Sequence, residues 1–231
     1  PQKMIKILYK ISLYSNIFRY WIKNFFNPIN KYENIVFLEE YFKDKKKGFY
    51  IDVGCFHPIR LSNTMFLHSK GWRGMNIDLS KKSIDLFKIA RPKDINLNFG
   101  VGSKNEILDY FYNKKVFANN TFNVDFAKVF LKKSEIKKNK IEVKTLKSIM
   151  EKYSTEKKID LLDIDAEGFD LDVLKGMDFE KYVIDLIMIE VHHYDDKTKK
   201  IADEILNFLI EKNFKLVFGK YPGNCIFKKS I

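Results

Sequence analysis

The 231-residue sequence has only two cysteines, Cys55 and Cys225, far apart and in no paired spacing. This excludes a disulfide framework and a cysteine-based zinc site. It fits a reducing compartment, so a cytoplasmic location is expected. Residues 3 to 26 are rich in apolar side chains, but Lys3, Lys6, Lys10, Arg19 and Lys23 interrupt them. Those charges argue against a membrane span, and no small-residue cleavage site follows to make the segment a signal peptide. No recognised nucleic-acid motif occurs, and no complete G-x-G-x-x-G fingerprint is present. Acidic residues are outnumbered, 30 against 42 Lys and Arg, for a formal net charge of +12. The excess favours an anionic partner such as a nucleotide, a phosphorylated substrate or an acidic membrane surface. It is almost all scattered Lys, which more often covers a surface than lines a nucleic-acid groove, so no nucleic-acid partner is expected.

The length is ample for one α/β domain and short of two comfortable ones. At 45% hydrophobic and 15% aromatic residues the chain can fill a solid core. Residue 1 is Pro rather than Met, which is compatible with an upstream segment. The N-terminal stretch spaces Met4, Leu8, Ile11, Tyr14, Phe18, Trp21 and Phe25 by threes and fours, one stripe along a helix. Two readings follow: a helix packed against the domain or a neighbour, or a basic amphipathic helix on an anionic membrane surface. Aromatic stripes at helical spacing are usually core, which favours packing. Asn27-Pro28 ends the segment, a second helix covers Val36 to Phe42, and residues 1–47 form a helical extension.

The rest is organised around residues 49 to 64. An apolar run carrying one carboxylate, Asp52, stops at Gly54, where a sharp turn and close ligand approach become possible. Ser62 or Asn63 then caps a helix through Met65, Phe66 and Leu67. Strand, glycine turn and helix open a nucleotide-binding α/β unit, with the ligand beyond the carboxyl end of the strand. The next strand, Gly74 to Asp78, ends on a carboxylate placed to accept two hydrogen bonds from a ribose diol. The alternative for Asp78 is a cap on the helix begun by Ser80. A third strand is expected from Asp94 to Val101. Residues 104 to 150 are the least regular, with a strand at Leu108 to Tyr112, a polar loop at 118–122 and a Lys-rich stretch from Lys128 to Lys140. By fold-level analogy this is where a substrate lid would be built. The fourth strand, Ile159 to Asp165, runs into Ala166-Glu167-Gly168, and the fifth ends Glu190-Val-His-His193. Two last strands, Phe214–Phe218 and Cys225–Lys228, make a hairpin across Gly219 to Gly223. Alternating elements closed by an antiparallel hairpin are the inventory of a class I methyltransferase, a Rossmann-like, mostly parallel α/β fold.

Ile51-Asp-Val-Gly54, Leu61-Ser-Asn-Thr64 and Gly71-Trp-Arg-Gly74 leading to Ile77-Asp78 resemble the first half of FkbM-type S-adenosylmethionine-dependent methyltransferases. Asp163-Ile-Asp-Ala-Glu-Gly168, Val173-Leu-Lys-Gly176 and Ile189-Glu-Val-His192 resemble the second half. The resemblance implies a seven-strand sheet, a methyltransferase domain over residues 48–231, and O-methylation of a sugar hydroxyl, nucleotide-linked or in a surface glycan such as a capsule. One departure is that Phe56-His57-Pro58 replaces the second glycine of the family's first turn. The cofactor would lie on Asp52, Gly54, Asn63 and Thr64 at its methionine end, on Asp78 at the ribose, and on Gly100 and Val101 at the adenine. Asp165, Glu167, Glu190, His192 and His193 come from the ends of the fourth and fifth strands. One reading gives Asp165, Glu190 and one of His192 or His193 to Mg²⁺ or another divalent ion. The metal-free reading makes a histidine the general base, His193 or His57, helped by Asp165 or Glu167. A bland reading leaves Glu167 as a helix cap and His193 exposed. His68 is read as structural. Lipid, peptide or small-phenol acceptors, or a non-catalytic membrane-surface adaptor, are the alternatives. A homo-oligomer is compatible with the sequence.

Overall fold

The computed structural model describes residues 2–26, 32–113, 120–122, 124, 127–128, 136–192 and 195–230. In chain order these form α1 (Gln2–Phe26), α2 (Glu33–Tyr41), β1 (Phe49–Val53), α3 (Met65–Ser69), β2 (Arg73–Ile77), α4 (Lys81–Ala90), β3 (Ile95–Leu97) and β4 (Gly100–Val101). Then come β5 (Glu106–Asn113), β6 (Ile136–Lys144), α5 (Leu146–Tyr153), β7 (Lys158–Ile164), α6 (Asp170–Lys175), β8 (Val183–Val191), α7 (Asp196–Glu211), β9 (Phe214–Phe218) and β10 (Gly223–Lys229).

The main sheet has seven strands in the order β3-β2-β1-β7-β8-β10-β9. Strands β3, β2, β1, β7 and β8 run parallel, and β10 is antiparallel to both its neighbours. The expected mostly parallel sheet closed by a C-terminal hairpin is therefore present. The order reverses between β1 and β7, which opens a crevice at their carboxyl ends.

β1 is buried at all five positions and β7 from Ile159 onward, because both faces of the sheet are covered. One face packs Ile51, Val53, Leu162, Ile164, Ile187 and Ile189 against α5, α6 and α7. The other packs Tyr50, Leu161, Leu186, Met188 and Ile226 against Leu38 and Phe42 at α2 and against Leu67 and Trp72. The two-residue period of a strand puts Asp52, Asp163 and Glu190 on this second face, in line with Tyr50, Leu161 and Met188. Asp52 and Asp163 are register partners.

Three expectations about elements are corrected. The strand expected over Asp94–Val101 breaks after Leu97. The Asn98 amide donates to the carbonyls of Asp78 and Leu79, and the chain leaves the sheet. Gly100 and Val101 then pair with β6, in a second sheet ordered β4-β6-β5. The Lys-rich stretch includes the start of β6, which pairs with β5 along its whole length. Neither Ser62 nor Asn63 caps α3. Thr64 occupies that position without a side-chain cap, its hydroxyl being turned to Asp52 instead. The apolar stripe on α1 does not pack against the domain, since Met4, Leu8, Ile11, Tyr14, Phe18, Trp21 and Phe25 are all exposed. The packed side carries Tyr9, Leu13, Asn16 and Tyr20. Tyr9 donates to Asp85 of α4 (2.9 Å), and Asn16 bonds the His57 ring (2.8 Å), over which Tyr20 sits edge-on. Around Leu13, the one buried residue of the helix, the packed side thus meets polar partners on the domain.

Arg91, just past α4, is almost fully buried. Its guanidinium donates to the hydroxyls of Tyr50 (3.0 Å), Thr64 (2.8 Å) and Ser62 (2.8 Å), and to the carbonyl of Pro58 (2.8 Å). Thr64 passes its own proton to Asp52 (2.6 Å), and Tyr50 passes its own to Asp94 (2.5 Å). One cation thus ties β1, the turn after it and the start of α3 to the end of α4. Replacing it with Met leaves Asp52 and Asp94 buried without their charge relay. Arg91→Met is expected to lower unfolding free energy by about 3–5 kcal/mol in urea titration. Arg91→Lys is expected to recover little, because an ammonium cannot reproduce the planar five-donor fork.

Candidate active site

Gly54 ends β1 with φ at +80°. A Cβ there would lie 1.9 Å from the carbonyl oxygen of Asp165, so only glycine lets the ends of β1 and β7 come this close. The amide of Asp165 donates to Val53 O and that of Gly54 to Ile77 O, pinning three strand ends together (both 2.9 Å).

Two lobes of one cleft meet at this point. The first is lined by Gly54, Asp78, Phe99, Gly100, Val101, Asn120, Phe122, Asp165 and Glu167. The second is lined by Asp52, Gly54, Cys55, Phe56, Leu61, Ser62, Asn63, Asp163, Asp165 and Glu167. Of the residues expected from sequence, the first lobe thus gathers Asp78, Gly100 and Val101, and the second Asp52 and Asn63. Gly54, Asp165 and Glu167 belong to both. Thr64 lines neither, being fully buried with its hydroxyl shared between Arg91 and Asp52.

Asp78 is oriented by two backbone amides, Phe56 N to Oδ2 (2.8 Å) and Ser80 N to Oδ1 (2.6 Å). The helix cap itself is Ser80, whose hydroxyl accepts from Ser83 N. Each carboxylate oxygen keeps a further lone pair for a diol. Burial pushes the Asp78 carboxyl up to about 7, against those two amides. Phe56, where the turn departs from the family pattern, holds a left-handed φ of +49° that a glycine would adopt without strain. The departure therefore keeps the turn and its amide contact to Asp78.

His57 is not placed as a catalytic base. Its Nδ1 accepts from the amides of Ile59 (3.0 Å) and Arg60 (2.9 Å), and its Nε2 faces the Asn16 side-chain oxygen. Burial, then the nearby Arg60 and Arg91 charges, push it down to about 4, so it stays neutral and organises the turn. His193 lies outside the described residues. His68 stands 3.5 Å from Asp94, away from the cleft.

Glu167 combines several unusual features. Its backbone is left-handed, with φ +49°, a conformation costing a residue with a Cβ about 1–2 kcal/mol. The surroundings enforce it: the Thr121 hydroxyl donates to its carbonyl (2.7 Å), and Asp170 accepts from the amides of Ala166 and Gly168 on either side. Thr121 itself bridges to Phe111 of β5, so the insertion reaches the site through this bond. Burial, then Glu190 and Asp170, push the Glu167 carboxyl up to about 8. Asp165 is raised well above the carboxylate range by burial and by Glu167 and Glu190. Its Oδ1 is buried with no hydrogen-bond partner among the described residues.

Glu167, Glu190 and His192 each offer one ligand atom within 4.8 Å of the others, the one such group among the described residues. It holds Glu167 where the sequence suggested Asp165. Sequence reasoning also passed over Asp163 as a site residue. Asp163 is buried on β7 beside Asp52, raised by burial and by the Asp52 charge and eased by a hydrogen bond from Asn63. The signal was available, because an acid in each of two buried apolar strands is a cost that needs a ligand or a proton. Phe99, Asn120 and Phe122 were also missed, and nothing in their sequence context singles them out.

The strand order and a cleft at the carboxyl ends of β1, β2 and β7 define a Rossmann-like fold of the class I methyltransferase type. The profile of the methyltransferase FkbM domain matches residues 52–216, well over half of the chain, and the protein belongs to that family of methyltransferases. Two solved structures are similar to it. One is a TehB-like SAM-dependent methyltransferase from Corynebacterium glutamicum, with TM-score 0.45 and 13% identity over 94% of this chain and 97% of that one. The other, from Clostridium thermocellum, is provisionally described as an rRNA-methylase, with TM-score 0.44 and 14% identity over 87% of this chain and all of that one. At these scores neither carries an argument about activity. No curated protein matches the chain.

The raised acids set a pH dependence. Asp78 and Glu167, with Asp163 and Asp165 above the ordinary carboxylate range, bind protons in the folded state at pH values where the unfolded chain has already released them. Stability therefore falls as pH rises through this range. His57 acts in the opposite sense only below its unfolded value of about 6.5. The Tm of the ligand-free protein is expected to be higher near pH 6 than near pH 8 in scanning calorimetry, and Glu167→Gln should flatten the difference.

Proposed function

We propose that this protein is an S-adenosylmethionine-dependent O-methyltransferase acting on a sugar hydroxyl, nucleotide-linked or in a surface glycan. The observation that carries the reading is the charge of the cleft. The lobe beyond Gly54 is walled by Asp52, Asp163, Asp165 and Glu167, and the lobe on its other side is lined by Asp78 together with Phe99 and Phe122. S-adenosylmethionine fits this division. Its ammonium and sulfonium charges suit the acidic lobe, its ribose diol suits the oriented Asp78 carboxylate, and its adenine suits Phe99, Val101 and Phe122. When bound, it supplies an electrophilic methyl on a sulfonium sulfur.

The protein's own part is alignment and proton removal. Glu167, lining both lobes and held in a fixed backbone, would take the proton of the acceptor hydroxyl. Its carboxyl, pushed up to about 8, is a stronger base than an ordinary glutamate. Asp78 and Gly54 position the cofactor. The sugar class rests on the resemblance to the FkbM family, and the net charge of +12 suits a phosphorylated or diphosphate-linked acceptor.

A second form of this reading adds a divalent ion on Glu167, Glu190 and His192, whose oxygen and imidazole donors suit Mg²⁺ or a first-row metal. Full activity after chelation removes that form.

Calorimetric titration with S-adenosylmethionine is expected to show micromolar binding that Asp78→Ala abolishes and Glu167→Gln keeps. With an accepted sugar, Glu167→Gln should lower kcat by roughly 10²–10⁴-fold. The wild-type rate should climb with pH up to about 8 as Glu167 ionises. Absence of cofactor binding by the wild type overturns the reading, and unchanged kcat in Glu167→Gln overturns the role given to that residue.

A further inference from the structure

The outer side of α1 is unlike the rest of the surface. Leu8, Ile11, Tyr14, Phe18, Trp21 and Phe25 follow one another at steps of three and four and are 57–69% exposed. The packed residues Tyr9, Leu13, Asn16 and Tyr20 follow the same rhythm two positions out of phase, as Ile11 is to Leu13 and Phe18 to Tyr20. At about 100° per residue, two positions is roughly 200°. The apolar stripe therefore points directly away from the domain that holds the helix.

The charges are ordered about that stripe. α1 contains no acidic residue, and its cations Lys3, Lys6, Lys10, Arg19 and Lys23 are all exposed. Lys6 and Lys10 lie on one flank of the stripe, Arg19 and Lys23 on the other. A helix bearing an apolar outer face between two basic flanks matches the boundary of an anionic bilayer, where the stripe enters the acyl region and the cations meet the headgroups. No described helix is long and apolar enough to cross a membrane, so the contact is one of lying on the surface.

We propose that α1 docks the protein onto an anionic lipid bilayer through this outer stripe, with its inner side remaining on the domain. A second copy of the chain is the competing occupant of an apolar helix face. It is disfavoured by the charge, since two such helices packed stripe to stripe would bring ten cations together with no acid on either, while an anionic bilayer neutralises all of them.

The two tryptophans make the test direct. Trp72 is buried in the core and Trp21 sits in the stripe, 0% and 57% exposed. The full chain is mixed with vesicles of phosphatidylcholine alone and of phosphatidylcholine with phosphatidylglycerol, and binding is read by flotation and by tryptophan emission. The expected result is uptake on the anionic vesicles, a blue shift that comes from Trp21, and loss of uptake as salt is raised. Phe18→Glu should abolish binding. Reversing Lys10, Arg19 and Lys23 together to Glu should weaken it about a hundredfold or more, at roughly fivefold per basic residue removed. All these positions are exposed, and an unchanged Trp72 emission and Tm certify the fold of each variant. No uptake on anionic vesicles overturns the proposal. So does uptake that survives Phe18→Glu, or a dimer in gel filtration that Phe18→Glu dissolves while vesicles fail to bind the wild type.

Discussion

A buried guanidinium fixes the direction of two hydroxyl hydrogen bonds beside the first strand. Arg91 has only donors, so the Thr64 and Tyr50 hydroxyls it touches must accept from it and send their own hydrogens onward, to Asp52 and Asp94. The same fork holds Pro58 and Ser62, so the turn after β1 is tied to the strand it leaves. A cation this far from water is tolerated because both terminal nitrogens of its fork donate two hydrogen bonds and two carboxylates stand one hydroxyl away. The turn carries Phe56, whose amide orients Asp78, so the orientation of that acid depends on Arg91 through two intermediates.

The site's second constraint is crowding of like charge. Gly54 brings the ends of β1 and β7 into backbone contact, which places Asp52 beside Asp163 and both near Asp165 and Glu167. These groups cannot move apart, because the hydrogen bonds between strands fix their separation. What remains is to hold protons or to receive a positive ligand, and the raised carboxyls are the first of these two answers. The acids are thus a standing cost to the fold and an attraction to any cationic occupant. A sulfonium and an ammonium on one molecule answer that field better than a neutral or anionic ligand could.

Much of this was legible in the sequence, for a simple reason. Strands buried on both faces read as apolar runs, so an acid or glycine that ends one stands out, as Asp52, Gly54, Asp78, Asp165 and Glu190 did. Its place at the end of the fifth strand then brought Glu190 to the carboxyl edge beside the fourth strand's acids. What failed was whatever depends on direction across the fold. His57 follows the glycine turn as a catalytic group would, yet its ring faces backbone amides and a helix from the far N-terminus. Arg91 is one cation among 42, and only tertiary packing shows that it is the buried one. The strand over residues 94–101 was read through the point where Asn98 turns the chain out of the sheet. On α1 the more apolar stripe stands out in the sequence, whereas the domain holds the more mixed one around Leu13 because His57 and Asp85 face it.

The two faces of α1 also limit how the chain can change in length. One inserted or deleted residue between Tyr9 and Tyr20 would rotate everything before it by about 100° relative to everything after, splitting the stripe and the grip on His57 at once. A change of seven residues, two turns, leaves a drift of only about 20°. Length variation in this helix should therefore fall before Tyr9 or after Tyr20, because even whole turns inserted between them would add about 1.5 Å per residue to the fixed spacing of the Asp85 and His57 contacts.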